Sequence, residues 1–240
     1  LDYIEVSDCT YESREKARYT LTVMDRATQW VMSYPTPAKS GEHVKQSLQR
    51  FLGPNVSPKH VYSDNGSDIL SGVMKAGWAG VHDKSTPNRH ETNGVVERSN
   101  QRCEIAASVG ICQSGLLPCW WAEAIDCQLF MHRVVDKLRT NLTPYEQRMG
   151  RKYDGPLFPF GAQIEYKPSS KKGLQQLPKV GWKTLPGIFI GYSLKSGGAW
   201  DGDLLIADKR DLAVATTPGI VPIRRFKADE IFSVKNDGEW

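Results

Sequence analysis

No run of apolar residues in this 240-residue chain approaches the roughly 20 that cross a bilayer as a helix, which argues against an integral membrane protein. The opening residues, Leu1-Asp2-Tyr3-Ile4-Glu5-Val6, read as a strand and lack the cationic and then apolar pattern of a secretory leader. Cysteine is sparse and irregular. Cys9, Cys103, Cys112, Cys119 and Cys127 form no CxxC pair, and the five histidines form no HxxxH, so neither a structural zinc site nor a disulfide framework is expected. A reducing intracellular compartment fits best. No Walker-type glycine-rich loop is present, which argues against phosphate-cradle nucleotide chemistry. A Cys–His nucleophile is also disfavoured: Asp8 beside Cys9 raises rather than lowers the thiol pKa.

What is there suits a globular protein, with 40% hydrophobic and 24% charged residues. The length predicts one large domain with a smaller module. The net charge of +4 is mild, but its distribution is uneven. Residues 1–100 carry 12 basic and 12 acidic side chains, whereas Lys167 to Ala199 holds six lysines and no acidic residue. A solvated connector and a phosphate-contact surface built on Lys171, Lys172, Lys179 and Lys183 explain that stretch equally well.

Hydrophobic patterning predicts a strand from Tyr3 to Asp8, a β-branched strand from Tyr19 to Asp25 and a third from Gln29 to Tyr34, joined by hairpin-type links. Ser40 caps a helix that runs to Leu52 and is broken by Gly53-Pro54. The strand His60–Asp64 follows by a crossover and is expected parallel in the same sheet. A short helix at Ile69–Ala76, a brief strand near Val81, a polar segment Ser85–Asn93 and a helix from Gly94 to about Val109 come next. Pro118 to Leu138 is a longer helix. Short strands at Pro186–Tyr192, Leu204–Ala207 and Ala213–Ala215 suggest a small barrel or sandwich. The division expected is a mixed α/β core over 1–140, a linker with a basic loop over 141–185, and a small β-rich module over 186–240.

Three carboxylates stand out by placement. Asp8 closes the first strand, Asp64 closes the fourth, and Glu97 lies in the first turn of the helix that follows the polar segment. If the two strands are neighbours, their carboxylates face each other, and a helix start beside them brings in the third. Such a cluster is self-repulsive and makes sense only around bound cations, for which Mg²⁺ with its preference for hard oxygen ligands is the natural choice. Each residue has a plainer explanation. Asp64-Asn65-Gly66 is a good turn, and a glutamate in a first helical turn favours the macrodipole.

At these residues the sequence resembles the integrase catalytic core of retroviruses and long-terminal-repeat retrotransposons. The similarity is carried by Asp8-Cys9-Thr10, by Leu21 to Trp30, by Val61-Tyr62-Ser63-Asp64-Asn65-Gly66-Ser67, and by Asn93-Gly94-Val95-Val96-Glu97-Arg98-Ser99-Asn100. Leu117-Pro118, Trp121 to Ala124, Thr143-Pro144-Tyr145-Glu146, Phe160-Gly161 and Gly187 to Tyr192 are similar to the region that follows the core in copia-type Gag-Pol polyproteins. The resemblance implies an RNase H-like mixed five-stranded sheet flanked by helices. It further implies an Asp-Asp-Glu triad of Asp8, Asp64 and Glu97 holding Mg²⁺ or Mn²⁺, as two ions, and a β-rich module behind the core. Asn65 would shape the second metal loop, Asn93 would approach DNA, and Asn100 would touch the DNA end or orient a ligand. Arg98 and Arg102 would contact phosphates or serve only as solvated charge.

The implied activity is DNA integration by phosphoryl transfer, with double-stranded DNA and further copies of the chain as partners, no membrane, and a nuclear or particle-associated site of action inside the cell. Asp2 competes with Asp8 for the first position; Asp8 is preferred because Cys-Thr follows it, as in the family. The interval from Asp64 to Glu97 is shorter than usual in that family, and its His-His-Cys-Cys zinc module has no counterpart among these residues. A catalytically inactive nucleic-acid-binding remnant, or a host-recruited RNase H-like domain, is the competing reading.

Overall fold

The computed structural model describes residues 1–6, 12–54, 56–77, 80–84 and 94–233, with residues 95, 96 and 172 described by their backbone. Strand β1 (Asp2–Glu5) pairs antiparallel with β2 (Tyr19–Asp25), which pairs antiparallel with β3 (Trp30–Thr36). The β2–β3 turn is closed by Asp25, whose carboxylate accepts from the Ala27 amide at 3.0 Å and the Thr28 hydroxyl at 2.7 Å. Thr20 through Val23 of β2 are all buried, so the central strand is covered on both faces.

Helix α1 (Gly41–Leu52) starts where predicted: the Ser40 hydroxyl accepts from the His43 amide at 3.2 Å, satisfying one of the first-turn donors. β4 (His60–Ser63) leads to α2 (Ser67–Lys75), which packs on α1 at close range. A methyl group on Gly72 would lie 2.4 Å from Val44 Cβ and 2.7 Å from the Gly41 carbonyl oxygen, so the crossing requires glycine there. β4 pairs in parallel with β5 (Val81–Lys84). The expected placement of β4 in the same sheet as the first three strands is not seen: among the described residues β4 pairs only with β5, and the amino-terminal strands form a three-stranded and a two-stranded ladder. One bond joins them: the Leu1 nitrogen donates to the Tyr62 carbonyl at 2.9 Å, immediately before β1.

Helix α3 (Gly94–Ser114) outruns its predicted end, and α4 (Trp121–Val135) follows a short 3₁₀ turn at Pro118–Trp120. Beyond α4 lie α5 (Pro144–Met149), β6 (Gln163–Tyr166) and α6 (Lys171–Gln175), all within the segment 141–185. The capping box between Thr143 and Glu146 starts α5, with a left-handed Gly150 ending it. Then come β7 (Leu185–Leu194), β8 (Trp200–Asp208), α7 (Lys209–Val214), β9 (Ile223–Lys227) and β10 (Ile231–Ser233). These strands make one antiparallel sheet in the order β10-β6-β7-β8-β9, in place of the expected barrel or sandwich. The strand expected at Ala213–Ala215 is instead the end of α7. The Asp208 carboxylate accepts from the Arg210 amide at 2.7 Å and caps that helix, overriding the weak local preference of Ala-Val-Ala.

α4 holds the two halves together, because it is buried on opposite sides. Trp121, Ile125 and Leu129 share a cluster with Ile4, Val31, Cys103 and Ala107. Ala124, Cys127 and Phe130 join the main core with Trp30, Tyr145 and the inner face of β7. Phe130 stacks on Tyr192 with centroids 4.1 Å apart and meets Tyr153 edge-on at 5.3 Å. Arg133, one turn on, is buried with its guanidinium 4.7 Å from the Trp30 ring and 5.3 Å from Phe130. Burial pushes its pKa down to about 10, against the pull of the nearby Asp126 charge. Beside it lies a cavity of about 630 Å³ between the two sheets, bordered by Ser33, Asp126, Ser193 and Arg225. Phe130→Ala is expected to cost about 3–5 kcal/mol, because a close-packed seam cannot collapse around the lost ring. Urea denaturation should show the drop as a lower midpoint with two-state unfolding intact.

Candidate functional site

β1 offers α3 one face. Asp2 and Ile4 lie on that side of the pleat, two residues apart. Ile4 packs with Cys103 and Ala107 of α3, which sets Asn100, one turn earlier, above Asp2. The Asn100 amide nitrogen donates to Asp2 Oδ2 at 2.9 Å, and its carbonyl oxygen accepts from the Thr22 hydroxyl at 2.6 Å. Thr22 is the register partner of Asp2 across β1 and β2. The other carboxylate oxygen, Oδ1, accepts from the Tyr3 amide at 2.8 Å. Asp2 is thus oriented through both of its oxygens.

Asp64 follows β4 directly. Its Oδ1 accepts from the Gly66 amide at 3.0 Å, an Asx turn that leads into α2. A methyl group on Gly66 would lie 3.1 Å from that oxygen, so glycine leaves the carboxylate uncrowded. The Leu1–Tyr62 bond sets the start of β1 beside this end of β4. The electrostatics record that proximity: Asp2 is raised above the ordinary aspartate pKa, first by burial and then by the negative charge of Asp64. Hydrogen bonds from Tyr3 and Asn100 pull in the opposite direction. Two hard carboxylates that repel each other form a donor set that a divalent cation would relieve.

The remaining predicted residues are placed less compactly. Glu97 is exposed and stands three residues before Asn100, on the adjoining position of one helix face. Among the described residues, no three carboxylate, imidazole or thiol side chains gather closely enough to hold a metal ion together, so Glu97 is not drawn to the Asp2–Asp64 pair. Asp8 and Asn93 lie outside the described residues, as does the side chain of Lys172. Asn65 is exposed beside Asp64. Arg98 is exposed, its Nε donating to the Gly94 carbonyl at 2.9 Å. Arg102 reaches across to α4, where its Nη1 lies 2.9 Å from His132 Nε2. Since a guanidinium only donates, His132 accepts at Nε2 and gives its Nδ1 proton to Asp136. Lys171 and Lys179 are exposed, while the Lys183 ammonium donates to the carbonyls of Pro178 and Lys179 at 2.6 and 3.0 Å. What local sequence does not carry is the register of β1 on β2, which sets Asp2 against Thr22 and under Asn100.

Comparison with known proteins adds a sequence relative and a structural neighbour, while no family model matches the chain. Over 133 residues, 54% of the chain, it is 29% identical to a Pol polyprotein of Feline endogenous virus ECE1, of which it spans 12%. A chain of the simian T-cell lymphotropic virus intasome, solved by cryoEM in complex with PP2A regulatory subunit B56 gamma, superposes with a TM-score of 0.47 at 14% identity. That superposition covers 91% of this chain and 73% of the other.

Coupling between the two aspartates is directly measurable. In carboxyl-resolved NMR titrations, Asp2 should titrate above the ordinary aspartate range. Asp64→Asn should move it down by removing a like charge, and Asn100→Ala should move it further up by removing a donor to the ionised form.

Proposed function

We propose that this chain is the integrase core of a long-terminal-repeat retroelement, copia-type by its Gly187–Tyr192 segment, and that it joins DNA by phosphoryl transfer. The observation that carries the reading is that the Leu1–Tyr62 bond brings the start of β1 to the end of β4, so that Asp2, held by Asn100 of the helix that bears Glu97, lies near enough to Asp64 to feel its charge. Similarity to a Pol polyprotein supports it. In this reading the strands belong to an RNase H-like sheet, Asp64 and Glu97 are ligands, and the first ligand comes from the β1 region. The motif favours Asp8, which lies outside the described residues; among those described, Asp2 is the aspartate that Asn100 orients near Asp64. We assign the role to Asp2.

The group implied is a pair of Mg²⁺ or Mn²⁺ ions, which when bound would supply Lewis-acid activation of the attacking oxygen and stabilisation of the leaving one. Asn100 acts by holding one Asp2 oxygen, leaving the carboxylate a fixed direction. Arg98 and Arg102, on the same helix, would meet backbone phosphates. In end trimming, water attacks a phosphodiester and its proton leaves while the 3′-oxygen is released as a hydroxyl. In strand transfer, a DNA 3′-hydroxyl attacks instead, forming one phosphodiester bond as another breaks, so no nucleotide triphosphate is consumed. The partners proposed are double-stranded DNA and further copies of the chain, inside the cell, in the nucleus or in element particles.

A second reading is favoured by one observation: Glu97 stands apart from the aspartate pair. In that case the chain is an inactive nucleic-acid-binding remnant.

Mg²⁺-dependent nicking and strand transfer on duplex ends separate these readings. Asp64→Asn and Glu97→Gln are expected to cut activity at least about a hundredfold, each removing a charged ligand at nearly constant volume. Asp2→Asn should fall as far and Asp8→Asn much less; the reverse pattern returns the first position to Asp8. Salt-dependent binding in EDTA without nicking in Mg²⁺ would instead favour the remnant.

A further inference from the structure

The segment between α6 and β7 carries an aromatic side chain that nothing above employs. Trp182 is 88% exposed and Val180 is 92% exposed, whereas Trp30, Trp120 and Trp121 are buried. The loop is nonetheless shaped. The Lys183 ammonium folds back onto the carbonyls of Pro178 and Lys179, and Gly181 at the tip has φ +121°, a conformation suited to glycine. This closure holds residues 178–183 in one turn and turns the indole outward. Leaving so large a ring in water forgoes the gain of burying it.

The surroundings select the partner. Lys171 and Lys179 stand exposed nearby in the chain, and no acidic residue occurs from Lys167 to Ala199. A neutral or basic protein surface offers no complement to that charge. One indole with one valine is also a small apolar area for docking to a lipid surface. A polyanion that presents flat rings matches both features. In a duplex each base has its faces covered by its neighbours, so the ring available to Trp182 is an unpaired one.

We infer that the Pro178–Lys183 turn is a stacking platform for an unpaired nucleobase, with Lys179 and Lys171 holding the adjoining phosphates. The inference rests on the nucleic-acid reading proposed above and adds to it a preference for single-stranded or frayed DNA.

Fluorescence anisotropy with a labelled 20-nucleotide oligo-dT and a duplex of equal length tests it. Trp182→Ala is expected to weaken single-strand binding about 5- to 100-fold while changing duplex binding less than about twofold. Trp182→Phe should recover most of the loss, and the melting temperature should stay unchanged because the side chain is exposed. Equal effects on both DNAs, or none, would overturn the platform. So would a change in sedimentation or in binding to anionic vesicles as the only consequence, since these point to a second copy or a lipid surface. Mg²⁺-dependent nicking by wild type with a silent Trp182→Ala removes this inference alone. Trp182-dependent single-strand binding without nicking removes the enzymatic reading alone.

Discussion

The double burial of α4 is the constraint from which the rest of the molecule is built. One side of this helix takes Phe130 into an aromatic seam with Tyr192, Tyr153 and Tyr145, so that β3 and the carboxy-terminal β7 both pack on α4. The other side presents Trp121, Ile125 and Leu129 to α3 and β1. A helix apolar around most of its circumference is a core helix rather than a surface one, and it fixes whatever packs on it. Because α3 is seated on α4 and on Ile4, the residue one turn before Cys103 falls over the start of β1. That residue is Asn100. The placement of a polar contact at the candidate site is thus a consequence of apolar packing some distance away.

Charge at this site is arranged with little slack. Thr22, Asn100 and Asp2 form a chain in which each donor meets an acceptor, so the amide has one sensible orientation and the carboxylate one direction. Burial and Asp64 both oppose ionisation of Asp2, while two hydrogen bonds favour it. The balance leaves a carboxyl whose proton affinity responds to its neighbours. The seam carries a second such balance in Arg133, whose buried charge is offset by aromatic faces and by Asp126.

Local signals were legible in the sequence and distant pairings were not. The Ser40 cap and the Asp64-Asn65-Gly66 turn are each specified within a few residues and occur as expected. β6, β9 and β10 are strands of three to five residues whose partners lie far along the chain, so periodicity alone passes over them. Ala213-Val214-Ala215 by itself favours a strand, and the cap five residues earlier at Asp208 makes it the end of α7 instead. At the candidate site, the flanks of Asp64 and Glu97 make both residues conspicuous in the sequence. The surroundings of Asp2 depend on register, since pairing with Thr22 places it under Asn100, and no local pattern carries that information. Lys183 looked like a phosphate ligand by composition, yet its ammonium is committed to two carbonyls of its own loop.

The anchoring of α3 at Asn100 sets a yardstick for Glu97. Three residues of α-helix rise about 4.5 Å, so the backbone of Glu97 lies a single turn beyond a residue already bonded to Asp2. Rotation about the glutamate's own side-chain bonds sweeps a comparable length. Its exposed side chain is thus free to change rotamer while the helix that carries it stays anchored at Asn100.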